Sequence, residues 1–261
     1  VGIVVFPSAT IVNLGTAAVT NISANDATTV EFRATSTTSL TISATSATAI
    51  NINQLTSATS SISITGAGTS TILHADSLVS AVDITTVSVG EAHFGVLTQA
   101  GALAIAASAA ANFAALTDTD AAASIGGQTV YLTALAAASG TLTLPNATTA
   151  NLPAFSTSTG NGVSAAVATS ANMVSGAVAD LSLPKATSLT LTAQAETFTM
   201  AASTDFPVMT SLSIVGKDVT GVPTSDVSIT AATTLTTISI GGEVHSLTVS
   251  DAGPTSLTTS G

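Results

Sequence analysis

A chain of 261 residues can fill one large domain or two ordinary ones, so core size does not limit what it can be. Charged residues make up only 7%, against about a quarter in an average domain, while 46% are hydrophobic and mean hydropathy is +0.61, a balance that excludes intrinsic disorder. Three basic residues against 14 acidic ones, a net charge of −11, exclude nucleic-acid binding and disfavour an anionic membrane surface, because both need Lys and Arg to meet phosphates.

The chain opens on Val1 with neither Met nor a signal-peptide pattern, which suggests a processed product or a piece of a longer protein. Its first ten residues, VGIVVFPSAT, are apolar up to Pro7. The end of a stand-alone solenoid needs a polar cap, so the expectation is that a preceding segment or a neighbouring subunit covers this end; an ordinary buried first strand is the other reading. From Leu40 apolar pairs become regular, at Leu40/Ile42, Ile50/Ile52, Ile62/Ile64 and Ile72/Leu73, followed by Ile84. Positions 40, 62 and 84 mark a period of 22, and a repeat of that length built from short strands signals a solenoid whose coils bury their faces against each other. Thr-Gly-Ala-Gly at 65–68 and Asn51-Ile52-Asn53 read as corners.

Between Leu97 and Gly140 the pattern changes. Leu103, Ala106, Ala110, Phe113 and Leu116 fall at helical spacing in an Ala-rich stretch, which predicts a helical insertion near 101–117, with closely packed Ala-rich coils as the alternative. Beyond Val130/Leu132 and Leu142/Leu144, short apolar-x-apolar units begin at Leu181, Leu189, Phe198, Leu212, Val227, Ile238 and Leu247, the period-two signature of half-buried strands. No run is apolar enough to cross a membrane: the longest, such as 102–111, is mostly Ala broken by Ser. With no cysteine, the redox compartment is not legible. The expected fold is mainly all-β, a parallel right-handed β-solenoid with irregular coils of about 22 residues. Its expected divisions are 1–36 (first coils), 37–96 (coils), 97–140 (Ala-rich) and 141–261 (coils).

Two stretches, LPKATSLTL at 183–191 and FPVMTSLSI at 206–214, align residue for residue, 23 positions apart. Their apolar-Pro-x-x-Thr-Ser-Leu-x-apolar unit resembles bacterial leucine-rich-repeat-like surface proteins and receptor L-domain-type right-handed β-helices, over roughly 140–250. True leucine-rich repeats carry an Asn ladder that is missing here, and Ala widely replaces Leu. The resemblance implies a cell-surface or secreted location and a structural or binding role, with no catalytic residue to carry over.

Chemistry-bearing patterns are sparse. His74, His93 and His245 are far apart in sequence, although Glu91-x-His93 and Asp76 could coordinate an ion if adjacent coils stacked them; surface or corner histidines are the plainer reading. Asp118-x-Asp120 is the close acidic pair, but aromatics for stacking sugars are few, seven Phe and one Tyr without Trp, which argues against carbohydrate cleavage. Asp at presumed corners, with Asp118 and Asp120 foremost, suits a structural Ca²⁺, and equally suits turns for conformational reasons. Thr-x-Thr units occur at 69–71, 117–119, 141–143, 157–159, 190–192 and 197–199 without a constant coil interval, which argues against an ice-binding array. The sequence therefore predicts a non-enzymatic extracellular or virion-fibre protein. It would self-assemble end to end or laterally into a layer, filament or fibre; an adhesin offering its side to surface glycans is the alternative.

Overall fold

The structure is a computed structural model and describes residues 3–6, 8–15, 20–157, 162–175, 181–193, 197–201, 206–216, 226–230, 234–242, 244, 246–250 and 256–260. Among them there is no helix: short parallel strands stack as a β-solenoid of about 10 turns. Chain contacts group into two compact units, Val1–Ser139 and Gly140–Gly261.

In the first unit each coil contributes to three parallel sheets. One runs through Ile3–Val5, Asn21–Ser23 and Leu40–Ser43, and a second through Ile11–Leu14, Thr29–Phe32, Ala49–Asn51 and Ile72–His74. The third holds two-residue pairings, Ser36 and Thr37 on Ser57 and Ala58, then Ser80 and Ala81, Gln99 and Ala100, Asp118 and Thr119. The period of 22 read from positions 40, 62 and 84 is a physical stack, since Leu40 pairs with Ile62 and Ile62 with Ile84. Every second side chain points into the interior, so Ile22, Leu40, Ile42, Ile50, Ile62 and Ile84 are all buried. In the first coil Val12 is buried, whereas Ile3, Val5 and Ile11 are exposed.

One corner recurs in both units. A buried apolar residue is followed by two turn residues, a second buried apolar residue, and then usually Thr, as in Ala24–Thr28, Ile52–Thr56, Phe94–Thr98, Phe113–Thr117, Leu183–Thr187 and Phe206–Thr210. The N–H of the fourth residue donates to the carbonyl of the first, for example Leu116 to Phe113 (3.1 Å) and Met209 to Phe206 (3.1 Å), which closes a β-turn with its apolar ends tucked inward. In Leu183–Thr187 and Phe206–Thr210 the second position is Pro, whose fixed φ suits it and whose missing N–H costs the ladder nothing there.

The fifth residue links coil to coil. Its N–H donates to the carbonyl of the corresponding residue one coil back, and where it is Thr the hydroxyl usually donates to that same carbonyl: Thr48 to Thr28 (3.2 Å), Thr117 to Thr98 (3.0 Å), Thr187 to Thr169 (3.1 Å), Thr210 to Thr187 (3.2 Å) and Thr236 to Thr210 (3.0 Å). A threonine ladder thus stands at the corner. Thr117→Val should cost about 0.5–1.5 kcal/mol, the net value of one hydrogen bond. Urea unfolding followed by circular dichroism checks this, and Thr117→Ser should restore most of the loss.

The helical insertion expected near 101–117 does not form. Leu103–Asn112 is a strand in which Leu103, Ile105 and Ala107 are buried while Ala104 and Ala106 are exposed, and Phe113–Thr117 is the recurrent corner. Ala favours helix by only some tenths of a kcal/mol per residue. That is outweighed by parallel pairing on both sides, with Leu103 between Ile84 and Ala123 and Ala111 between Ala92 and Val130. The alternative of Ala-rich coils is the one that holds. Small side chains also let the coils close up at a corner: a methyl group on Gly101 would overlap the carbonyl oxygen of Val82 one coil back.

The second unit repeats the scheme. Thr149–Thr157, Ser170–Ser175, Ser188–Ala193, Ser211–Gly216, Thr237–Gly242 and Ser256–Ser260 form one parallel sheet. A separate sheet joins Thr197–Ala201, Asp226–Thr230 and Ser246–Val249. The two aligned stretches of the sequence lie directly on one another, Leu189 on Leu212 and Leu191 on Ile214.

Candidate functional site

Register converts scattered polar residues of the first unit into a column. Asn13, Glu31, Asn51, His74, His93, Asn112 and Tyr131 pair in succession across seven coils, all on the outward side of one sheet. Their inward neighbours Val30, Ile50, Leu73, Ala92, Ala111 and Val130 are buried, so alternation fixes the outward direction. The separations along the chain, 20 residues from Glu31 to Asn51, 23 from Asn51 to His74 and 19 from His74 to His93, are unequal, which hides the column from any search at fixed period.

Hydrogen bonds knit the column to its corners. Glu31 accepts from Asn13 Nδ2 (3.2 Å) and from Arg33 Nε (2.9 Å) and Nη2 (3.0 Å), and the hydrogen bond and charge of Glu31 raise the Arg33 pKa above its ordinary value. Asn51 Oδ1 accepts the N–H of Asn53 (2.9 Å), whose own Oδ1 accepts the N–H of Asp76 in the next coil (2.7 Å). Asn112 Oδ1 accepts from Ala114 N–H (3.1 Å).

At the centre, the rings of His74 and His93 stack with centroids 5.4 Å apart and planes 18° from parallel. His93 Nε2 lies 3.0 Å from Glu91 Oε2, and His74 Nδ1 lies 3.8 Å from Asp76 Oδ2. Glu91 thus lies against His93, and Asp76 lies beside His74, the ring stacked on His93. His245 lies outside the described residues. Among the described residues no group of three or more His, Asp or Glu converges as a ready metal cage.

The Ca²⁺ candidates sit elsewhere on the first unit. Asp118 is half-buried in register between Gln99 and Ala137, Thr119 is buried, and Asp120, just past the strand, is exposed. Asp120 also borders a shallow groove of about 410 Å³, floored by buried Ala58 and Ala81 and edged by Ser57, Ser80 and Gln99. Of the other acids read as corner residues, Asp226 accepts a short hydrogen bond from Ser246 Oγ, while Asp205, Asp218 and Asp251 lie outside the described residues.

The second unit presents a different face. Its outward columns are Thr149, Ser170, Ser188, Ser211, Thr237 and Ser256, and beside them Asn151, Asn172, Thr190, Ser213, Ser239 and Thr258. Neither column carries a charge or a large apolar group. Ser170 Oγ donates to Thr149 Oγ1 (3.2 Å) and Asn172 Nδ2 to Asn151 Oδ1 (3.1 Å), so the side chains also bond along the stack.

Fold and surface together define a parallel β-solenoid with a polar column on one unit and an uncharged hydroxyl face on the other. Comparison with protein-family models, curated proteins and solved structures gives no match. Among the described residues no helix is long and apolar enough to cross a membrane.

Proposed function

We propose that this chain is an extracellular structural protein, akin to leucine-rich-repeat-like and L-domain-like surface proteins, that self-assembles into a layer, filament or fibre. The observation that carries the reading is the pair of adjacent outward columns that runs across six strands of the second unit and consists wholly of Ser, Thr and Asn. A chain with net charge −11 repels its copies almost everywhere. A neutral face lets two copies meet without burying unpaired charge, and its hydroxyls and amides supply both donors and acceptors.

Negative-stain electron microscopy and sedimentation at rising concentration, with and without Ca²⁺, test the proposal. Ordered assemblies are expected, and the double variant Thr190→Glu/Ser213→Glu should disperse them with its circular dichroism unchanged. A parent protein that stays monomeric throughout would sink the idea. The groove beside Asp120 favours a second reading, an adhesin for surface glycans, and an empty glycan array would count against that.

A further inference from the structure

We propose that His74 and His93 form a two-imidazole site for a divalent transition-metal ion of the Cu²⁺, Ni²⁺ and Zn²⁺ class. Imidazole nitrogen suits these ions, whereas Ca²⁺ demands six to eight oxygens that this place does not offer. The two residues are register partners on adjacent parallel strands, about 4.8 Å apart at the backbone, so the spacing of the ligands is set by the ladder and not by a loop. Behind them Leu73 and Ala92 are buried, which anchors both strands while the side chains stay outside.

The carboxylates complete the argument. Glu91 lies against Nε2 of His93, and Asp76 faces Nδ1 of His74, leaving Nδ1 of His93 and Nε2 of His74 as the nitrogens to ligate. Ligating histidines almost always offer their second nitrogen to a carboxylate, which fixes the tautomer and raises the basicity of the first. Here Glu91 gives His93 that arrangement at 3.0 Å, while Asp76, 3.8 Å from His74 Nδ1, adds a negative charge beside the second ring. The side chain of His74 is 39% exposed and 3.8 Å from Asp76, beyond hydrogen-bond reach, so rotation about its side-chain bonds can turn its free nitrogen to an ion at His93 without moving the core or breaking the Glu91 contact. Among the described residues no group of three or more His, Asp or Glu stands ready to hold an ion, so the site offers two nitrogens and water would take the remaining positions. The acidic balance of the whole chain draws dications toward the surface.

Titration of the full chain with Cu²⁺, read by calorimetry and by electron paramagnetic resonance, tests the site. One ion per chain with two nitrogen ligands is expected. Glu91→Gln should weaken binding about 10-fold through loss of the orienting carboxylate. His74→Ala and His93→Ala should each weaken it further, the double variant should be no worse than either, and His245→Ala should bind like the parent. Circular dichroism of the Glu91, His74 and His93 variants should match the parent, because these three side chains lie outside the core. Unchanged Cu²⁺ affinity in His74→Ala and His93→Ala, or a single-nitrogen spectrum in the parent, would overturn the assignment.

Discussion

Phe113→Ala should destabilise the first unit by about 3–5 kcal/mol, the cost of deleting a buried ring that its surroundings cannot refill. Phe94 and Phe113 occupy the same corner position in successive coils, both fully buried, with ring centroids 4.9 Å apart and planes 14° from parallel. Removing one ring therefore strips a stacked pair, which itself contributes about 0.5–1.5 kcal/mol. Coils of a solenoid contact only their neighbours, so the damage should be local. Urea unfolding should give the magnitude, and hydrogen exchange should show the amides of Phe94, Leu97, Phe113 and Leu116 losing protection ahead of those near Ile22 and Ile42. Val82→Ala, at an exposed position, should change stability by less than about 0.5 kcal/mol. Uniform loss of protection across both units would contradict the coil-by-coil picture.

Thr71→Val should be nearly as damaging, although it keeps the shape and adds no polar group. Thr71 is fully buried, and its hydroxyl donates to the carbonyl of Ala47 one coil back (2.6 Å) while accepting the N–H of Ala67 in its own corner (2.6 Å). Its carbonyl accepts N–H groups from Gly90 (2.8 Å) and Glu91 (3.1 Å) in the coil ahead, so one residue ties three coils together. Valine leaves two inner backbone groups without partners, at about 1–3 kcal/mol each. Thr71→Ser, which retains the hydroxyl, should recover most of the stability measured by urea unfolding. Equal stability of the Val and Ser variants would show that neither bond matters.

Why so much of the architecture was legible follows from what each coil must do. Strands announce themselves by alternation, and each apolar-x-apolar unit from Leu189 to Leu247 falls on a strand, while the unit at Leu181 runs from a short strand into a corner at Leu183. Corners were legible where Pro marked them, as at Pro184 and Pro207, but the more general marker is apolar-x-x-apolar-Thr, which also covers Ala24–Thr28 and Phe113–Thr117 and would have exposed the threonine ladder. The 103–112 strand stayed hidden because Ala occupies both its inward and its outward positions, so alternation leaves no trace in hydrophobicity. The polar column was invisible for a different reason. Residues such as His74 and His93 become neighbours only once the length of every intervening corner is known, and that length is set by packing.

Coil length varies while the stacking of apolar positions is kept. Ile3 meets Asn21 after 18 residues, Ser211 meets Thr237 after 26 and Thr197 meets Asp226 after 29, yet apolar positions stay stacked on apolar positions. The described strands keep their pairing whatever the length of chain between them, and doubling a flexible loop costs only about 0.6 kcal/mol in closure entropy. Insertions and deletions, ordinarily among the harshest changes a gene can suffer, thus become nearly neutral at these corners. A lineage carrying this fold can diversify its surface by lengthening corners while the stacked interior remains the inherited constant.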